Sequence, residues 1–146
     1  MYDDILIPTD GGKQALKGAE HGVELAASVG ATIHALYVIE LPGAPRTTYI
    51  MEDEERVREE YREYGEEVTT EVCEMAAEAG VDCVTAVKTG SAHEEIKEYS
   101  EEEDIDLIVV GTRYQGKFGA LMGSNAEKVV RTSEIPVITV RVKGTE

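Results

Sequence analysis

Asp106-Leu107-Ile108-Val109-Val110-Gly111-Thr112-Arg113 is the stretch that decides the fold. Leu107 to Val110 is apolar at every position, with no alternation, which is the pattern of a strand covered on both faces. A glycine-rich loop follows from Gly111 to Gly123. It leads into Ser124-Asn125-Ala126-Glu127, a serine followed three residues later by a glutamate, which reads as the capping box of a helix running to about Thr132. Pro136 to Arg141 (PVITVR) is the strand after it. A buried strand, a glycine loop, a helix and another strand make a βαβ unit, and such units build parallel sheets.

The same alternation extends toward the N-terminus. Ile5-Leu6-Ile7 is a strand that stops at Pro8-Thr9-Asp10-Gly11-Gly12. Ala15, Leu16, Ala19, Val23, Ala26, Ala27 and Val29 fall at helical spacing, and Gly30 ends that helix. Thr32 to Ile39 is a second strand, and Leu41 to Thr48, with Pro42, Gly43 and Pro45, is a loop. A long acidic helix spans about Met51 to Ala79, with Val57, Tyr61, Tyr64, Val68, Val72, Met75 and Ala76 as its apolar stripe. Gly65 inside it reads as a bend, and Gly80 as its stop. Val81 to Val87 is a third strand. Ser91-Ala92-His93-Glu94 is another capping box, opening a helix to about Glu103. The order is βαβαβαβαβ over one domain. No repeat or linker divides the 146 residues. Ligands of such sheets bind beyond the carboxyl ends of the strands, where the strand order reverses.

Charge narrows the partners. Thirty acidic residues against 14 basic ones leave a net charge of −16. Nucleic acid and anionic membrane surfaces are excluded as partners on that balance. So strong an acidity suits a halophile's cytoplasm, where salt screens like charges. No run of 18 apolar residues spans a membrane, and no basic, apolar leader precedes the first strand. Cys73 and Cys83 fall in different predicted elements without metal spacing, so they read as free thiols of a reducing compartment. The expected location is cytoplasmic. His21, His34 and His93 are scattered and read as structural, and the Tyr61/Tyr64 pair reads as helix packing.

Two regions carry candidate chemistry. The glycines of Gly111–Gly123 allow close backbone approach. With the start of the following helix they favour an anion such as phosphate. The loop is neither a Walker loop nor a dinucleotide fingerprint. Asp10, ending the first strand, either accepts hydrogen bonds from ribose hydroxyls or caps the next helix.

Three stretches resemble universal stress proteins: Ile5 to Gly12, Asp106 to Arg113, and Met122-Gly123-Ser124 through Glu127 to Arg131 and on to Pro136 to Arg141. The resemblance covers the whole chain. It implies one Rossmann-like domain over residues 1–146, of adenine nucleotide alpha hydrolase-like type. That fold is an open parallel five-stranded sheet of order 3-2-1-4-5, with helices on both faces, usually homodimeric. One branch of the family binds ATP through a glycine motif and another does not. Carried over by position, Pro8, Thr9 and Asp10 would meet the adenosine, with Asp10 at its ribose or adenine. Val38 would offer its backbone to the adenine edge. Gly111, Thr112 and Arg113, then Gly123 and Ser124, would surround the phosphates. The motif departs from the family at two points. Tyr114 stands where the second glycine is expected, and the eleven residues between Gly111 and Gly123 are one fewer than the pattern has. Gly116 is the substitute glycine. Magnesium would arrive on the triphosphate. The resemblance thus implies an ATP-binding stress sensor or regulator with at most slow hydrolysis. The alternative is a dimeric interaction module of the same fold that binds no nucleotide. The dimer is expected through the last strand, Pro136 to Val142, an apolar sheet edge without protective lysines.

Overall fold

The computed structural model describes residues 1–40, 51–114 and 124–143. Nine elements alternate: β1 (Asp4–Pro8), α1 (Lys13–Val29), β2 (Thr32–Ile39), α2 (Met51–Glu78), β3 (Cys83–Thr89), α3 (Ala92–Glu102), β4 (Leu107–Tyr114), α4 (Ser124–Thr132) and β5 (Val137–Lys143). All strand pairs are parallel, in the order β3-β2-β1-β4-β5. This is the doubly wound sheet that the resemblance implied.

Successive residues of a strand point to opposite faces, and the two cores follow from that. Ile5, Ile7, Ile33, Ala35, Leu107 and Val109 pack with Ala19, Val23 and Ala26 of α1 and Val72 and Ala76 of α2. Leu6, Leu36, Ile108 and Val110 pack with Ile96 and Tyr99 of α3 and Val129 of α4 on the other face. The buried stripe of α1 is Ala15, Gly18, Ala19, Gly22, Val23 and Ala26. Its small residues bring the helix close to the sheet. A Cβ at Gly18 would come within 2.7 Å of the Gly111 nitrogen, and one at Gly22 within 2.7 Å of Ile7 Cδ1. Gly30, at φ 76°, closes α1 with its amide donating to the Ala26 carbonyl.

The structure departs from the sequence expectations in several places. β4 does not stop at Val110. Thr112, Arg113 and Tyr114 continue the strand opposite Arg141, Val142 and Lys143. β3 starts two residues later than expected, at Cys83, and continues to Thr89 beside β2. Gly65 marks close packing, since a Cβ there would lie 2.5 Å from Tyr37 Cδ2. Helix propensity alone would favour alanine by about 1 kcal/mol, and that collision reverses the preference.

The first capping box is not built as read, and the Ser124 side chain of the second lies outside the described residues. Ser91 is the N-cap of α3, but its hydroxyl pairs with His93 Nδ1 at 3.1 Å and caps no amide. Glu127 accepts from Arg131 one turn along α4.

The cysteines require a correction of chemistry. Cys73 and Cys83 form a disulfide, with Cα atoms 5.3 Å apart and ten residues of separation. Cys73 lies near the end of α2, against the core that α2 shares with the sheet, and the chain returns at once into β3. Helix and strand therefore meet at their junction, although the two residues belong to different elements. The expectation of free thiols is withdrawn, and with it the argument for a reducing compartment. Among the described residues, no helix is long and apolar enough to cross a membrane.

Candidate functional site: a crevice at the switch in strand order

β2 lies on one side of β1 and β4 on the other, so the chain reverses its winding direction between β1 and β4. Helices on opposite faces then diverge at the carboxyl ends of these two strands and leave a crevice. A cavity of about 390 Å³ occupies it. Pro8, Thr9, Asp10, Val38, Gly111 and Thr112, all expected from the sequence, line this cavity together. Arg113 follows in β4 with its backbone opposite Val142, and Ser124 begins α4. Gly116 and Gly123 lie outside the described residues.

The loop after β1 is held by its own polar groups. Thr9 N donates to the Leu36 carbonyl at 2.9 Å, extending the β1–β2 pairing by one residue. Thr9 Oγ1 accepts from Gly11 N at 3.1 Å, and Asp10 Oδ1 accepts from Gly12 N at 2.8 Å. Gly12 is the N-cap of α1 and has no side chain to offer, so Asp10 supplies the carboxylate at that helix start. Only one of its oxygens is used this way, so capping and ligand binding do not exclude each other. Gly11 adopts φ 81°, a conformation open to glycine, and a Cβ there would strike the Tyr64 hydroxyl. That hydroxyl donates to the Asp10 carbonyl at 2.8 Å. Tyr64 also meets Tyr37 edge to face, at 5.5 Å between ring centres. Burial, followed by Tyr64, Tyr61, Asp10 and Glu40, raises the Tyr37 phenol above its ordinary range, so it stays protonated at neutral pH.

Gly111 has a role that the sequence reading missed. A Cβ on it would run into the Gln14 carbonyl in the first turn of α1. The glycine is required by helix–strand packing before any phosphate is considered. The crevice also contains residues that the sequence reading did not select: Leu36, Glu40, Ala92, Ile96, Asn125 and Val129. Glu40 was legible in principle. It stands two residues after Val38, the interval that returns a strand to the same face.

Chemically, the cavity wall joins apolar side chains to a few hydrogen-bonding groups. The described lining holds two carboxylates, Asp10 and Glu40, and no lysine or arginine. Within the described lining, the carboxylates disfavour an anion beside them, and the helix dipole favours one toward the start of α4. A neutral, hydrogen-bonding ring system fits the remainder.

The fold and crevice define a doubly wound α/β domain with a cavity at its switch point. Residues 1–141 match the Universal stress protein family, and the chain belongs to it. Universal stress protein MJ0531 of Methanocaldococcus jannaschii is 36% identical over 145 residues, covering 97% of this chain and 83% of that protein. The solved Universal stress protein UspA from Lactobacillus plantarum superposes with a TM-score of 0.82 at 23% identity, covering 96% of this chain and 98% of that one. An Arabidopsis thaliana family member solved with AMP bound has a TM-score of 0.72 at 19% identity, covering 98% and 94%.

Proposed function

We propose that this chain binds an adenine nucleotide, ATP, in the crevice and acts as a stress-response sensor or regulator. The observation that carries the reading is the convergence of Pro8, Thr9, Asp10, Val38, Gly111 and Thr112 on one cavity. The AMP held by the Arabidopsis family member supports it. The free oxygen of Asp10 would accept from a ribose hydroxyl. The backbone of Val38 would meet the base edge, and the start of α4 with its preceding glycines would face the phosphates. Magnesium would come with the triphosphate. Asp10, Tyr37 and Glu40 are the ionisable residues of the described lining. Asp10 and Glu40 each already accept a backbone amide, so binding rather than rapid turnover is the expected activity.

Calorimetry with MgATP in high salt tests the reading. Asp10→Ala should weaken binding about tenfold, roughly 1.4 kcal/mol, while the protein stays folded. No heat from the parent protein at millimolar MgATP would overturn it. One observation favours the runner-up, a dimeric interaction module without nucleotide. β4 stays in its ladder through Tyr114, which pairs with Lys143 where the family's ATP-binding branch has a flexible glycine.

The assembly proposed for either reading is a homodimer through Pro136 to Val142. β5 lies at a sheet edge, and Val137, Ile138 and Val140 are half-buried in the single chain. A two-fold axis would pair the strand with itself, antiparallel. Light scattering of the parent protein should give a dimer mass, and Ile138→Pro a monomer mass. A monomeric parent at micromolar concentration would remove the proposal. The acidity carries a proposal of its own: with a charge of −16, the melting temperature should rise between low salt and molar KCl. A flat response would dispose of the halophilic reading.

A further inference from the structure

Glu40 follows directly on β2 and stands beside the first turn of α3. Its Oε2 accepts from Ala92 N at 3.0 Å. Gly90 N donates to the Ile39 carbonyl at 2.9 Å, which holds the α3 entrance against the end of β2. Ser91, which would ordinarily cap this helix, is turned to His93. A carboxylate from another element therefore occupies the positive end of α3, inside the cavity wall. Its second oxygen has no partner among the described residues. Three helix starts border the crevice: those of α1 and α3, where Asp10 and Glu40 already place a carboxylate that repels a phosphate, and that of α4. Val38 and Ile96 line the same cavity. A flat apolar ring carrying an N–H donor suits that environment; an anionic or purely accepting group does not.

We infer that Glu40 is a base-specificity residue, its free oxygen accepting a hydrogen bond from the exocyclic amino group of the bound base. This rests on the nucleotide reading above and goes beyond it. It orients the ligand, base toward α3 and phosphates toward α4, and selects an aminopurine. A charge-assisted hydrogen bond of this kind is stronger than a neutral one, and losing its donor leaves a carboxylate oxygen unpaired against the ligand.

The test compares MgATP with purine riboside triphosphate, which is ATP without its 6-amino group, by calorimetry on the full chain. Wild-type protein should bind ATP at least tenfold more tightly. Glu40→Gln isolates the residue. The amide oxygen still accepts from Ala92 N, so α3 keeps its cap, but the amide NH₂ now faces the base amine. The ATP preference should fall to within about twofold, by weaker ATP binding at unchanged affinity for the purine analogue. Glu40→Ser, which has no carboxylate, should show the same collapse and serves if Glu40→Gln does not fold. Asp10→Ala should weaken both ligands alike and keep their ratio. Equal affinities in the wild type, or an undiminished preference in the Glu40 variants, would overturn the inference while leaving nucleotide binding standing. Wild-type protein that binds neither ligand would overturn the nucleotide reading and this one with it.

Discussion

The two ends of the sheet treat polar groups in opposite ways. At the amino end, the polar groups bond to one another. Asp106 accepts from Asp3 N at 2.9 Å and Asp4 N at 3.2 Å, clasping the start of β1 to the start of β4. His34, 6% exposed, lies between Asp4 Oδ1 at 2.9 Å and the Tyr99 hydroxyl at 2.8 Å. The Asp4 carboxylate can only accept, so in the neutral ring His34 Nε2 carries the proton and Nδ1 accepts from the Tyr99 hydroxyl. At the carboxyl end, Asp10 and Glu40 line the cavity and each use one oxygen to hold a helix start. Among the described residues, the amino-end groups bond one another across strands, whereas the carboxyl-end carboxylates bond only to helix starts. Changes at the amino end should therefore move stability and spare ligand affinity, whereas changes at Asp10 or Glu40 should move ligand affinity, with about 1 kcal/mol of stability lost where the helix cap is removed.

Gly111 is where that division breaks, and it carries the largest expected effect. It lines the crevice, yet any side chain on it collides with backbone in α1. Backbone cannot rotate away as a side-chain tip can. Gly111→Ala should destabilise by about 3 kcal/mol or more, in the range of severe core overpacking, and Gly111→Val should not fold. Chemical denaturation of the alanine variant without ligand checks this. A parent-like midpoint would return Gly111 to a purely phosphate-facing role.

The next effect belongs to the amino end, where Cys83 opens β3. The disulfide to Cys73 closes a short loop across the α2–β3 junction. Reduction, or Cys73→Ala with Cys83→Ala, should lower stability by about 2–3 kcal/mol on the chain-entropy account. Nucleotide affinity should not change, because the crevice lies at the opposite end of the strands. An affinity that falls with reduction would show the ends to be coupled.

The disulfide also shows where sequence reading stops. Apolar runs, helical stripes and punctuating glycines placed all nine elements, because each signal lies within its own segment. Cys73 and Cys83 become neighbours only once α2 folds back on β3. For the same reason, Asp106 gave no sign of reaching Asp3 and Asp4, nor Glu40 of reaching Ala92. These contacts join residues separated by 103, 102 and 52 positions. Ser91 and Glu94 matched a local rule, but the Ser91 hydroxyl pairs with His93 instead, and Glu40 takes the Ala92 amide at the same helix start. Pro8, Thr9, Asp10, Val38, Gly111 and Thr112 were legible through resemblance. The packing function of Gly111 was not, because it depends on how closely α1 lies on β4.

The smallest effect concerns the buried Tyr99 and separates the two ends by pH. Tyr99 is 5% exposed, and its phenol is pushed up to about 12, by burial first and then by the charges of Glu103 and Asp4. An unfolded tyrosine titrates near 10. Between pH 10 and 12 the unfolded chain loses this proton while the folded chain keeps it, so the folded state binds more protons. Stability must then fall as pH rises, and below pH 10 this contribution is fully present. Two units correspond to about 2–3 kcal/mol as an upper bound, and the part reached by pH 11 is half of that, about 1.4 kcal/mol. Tyr99→Phe removes the titrating group. At pH 7 it should cost about 1 kcal/mol, because His34 Nδ1 loses its donor. Between pH 10 and 11 its stability should decline less steeply than that of the parent, and the two curves should converge. Urea midpoints across that interval decide it. Parallel curves would mean that Tyr99 titrates as an exposed phenol does, and that the amino end is wetter than its hydrogen bonds suggest.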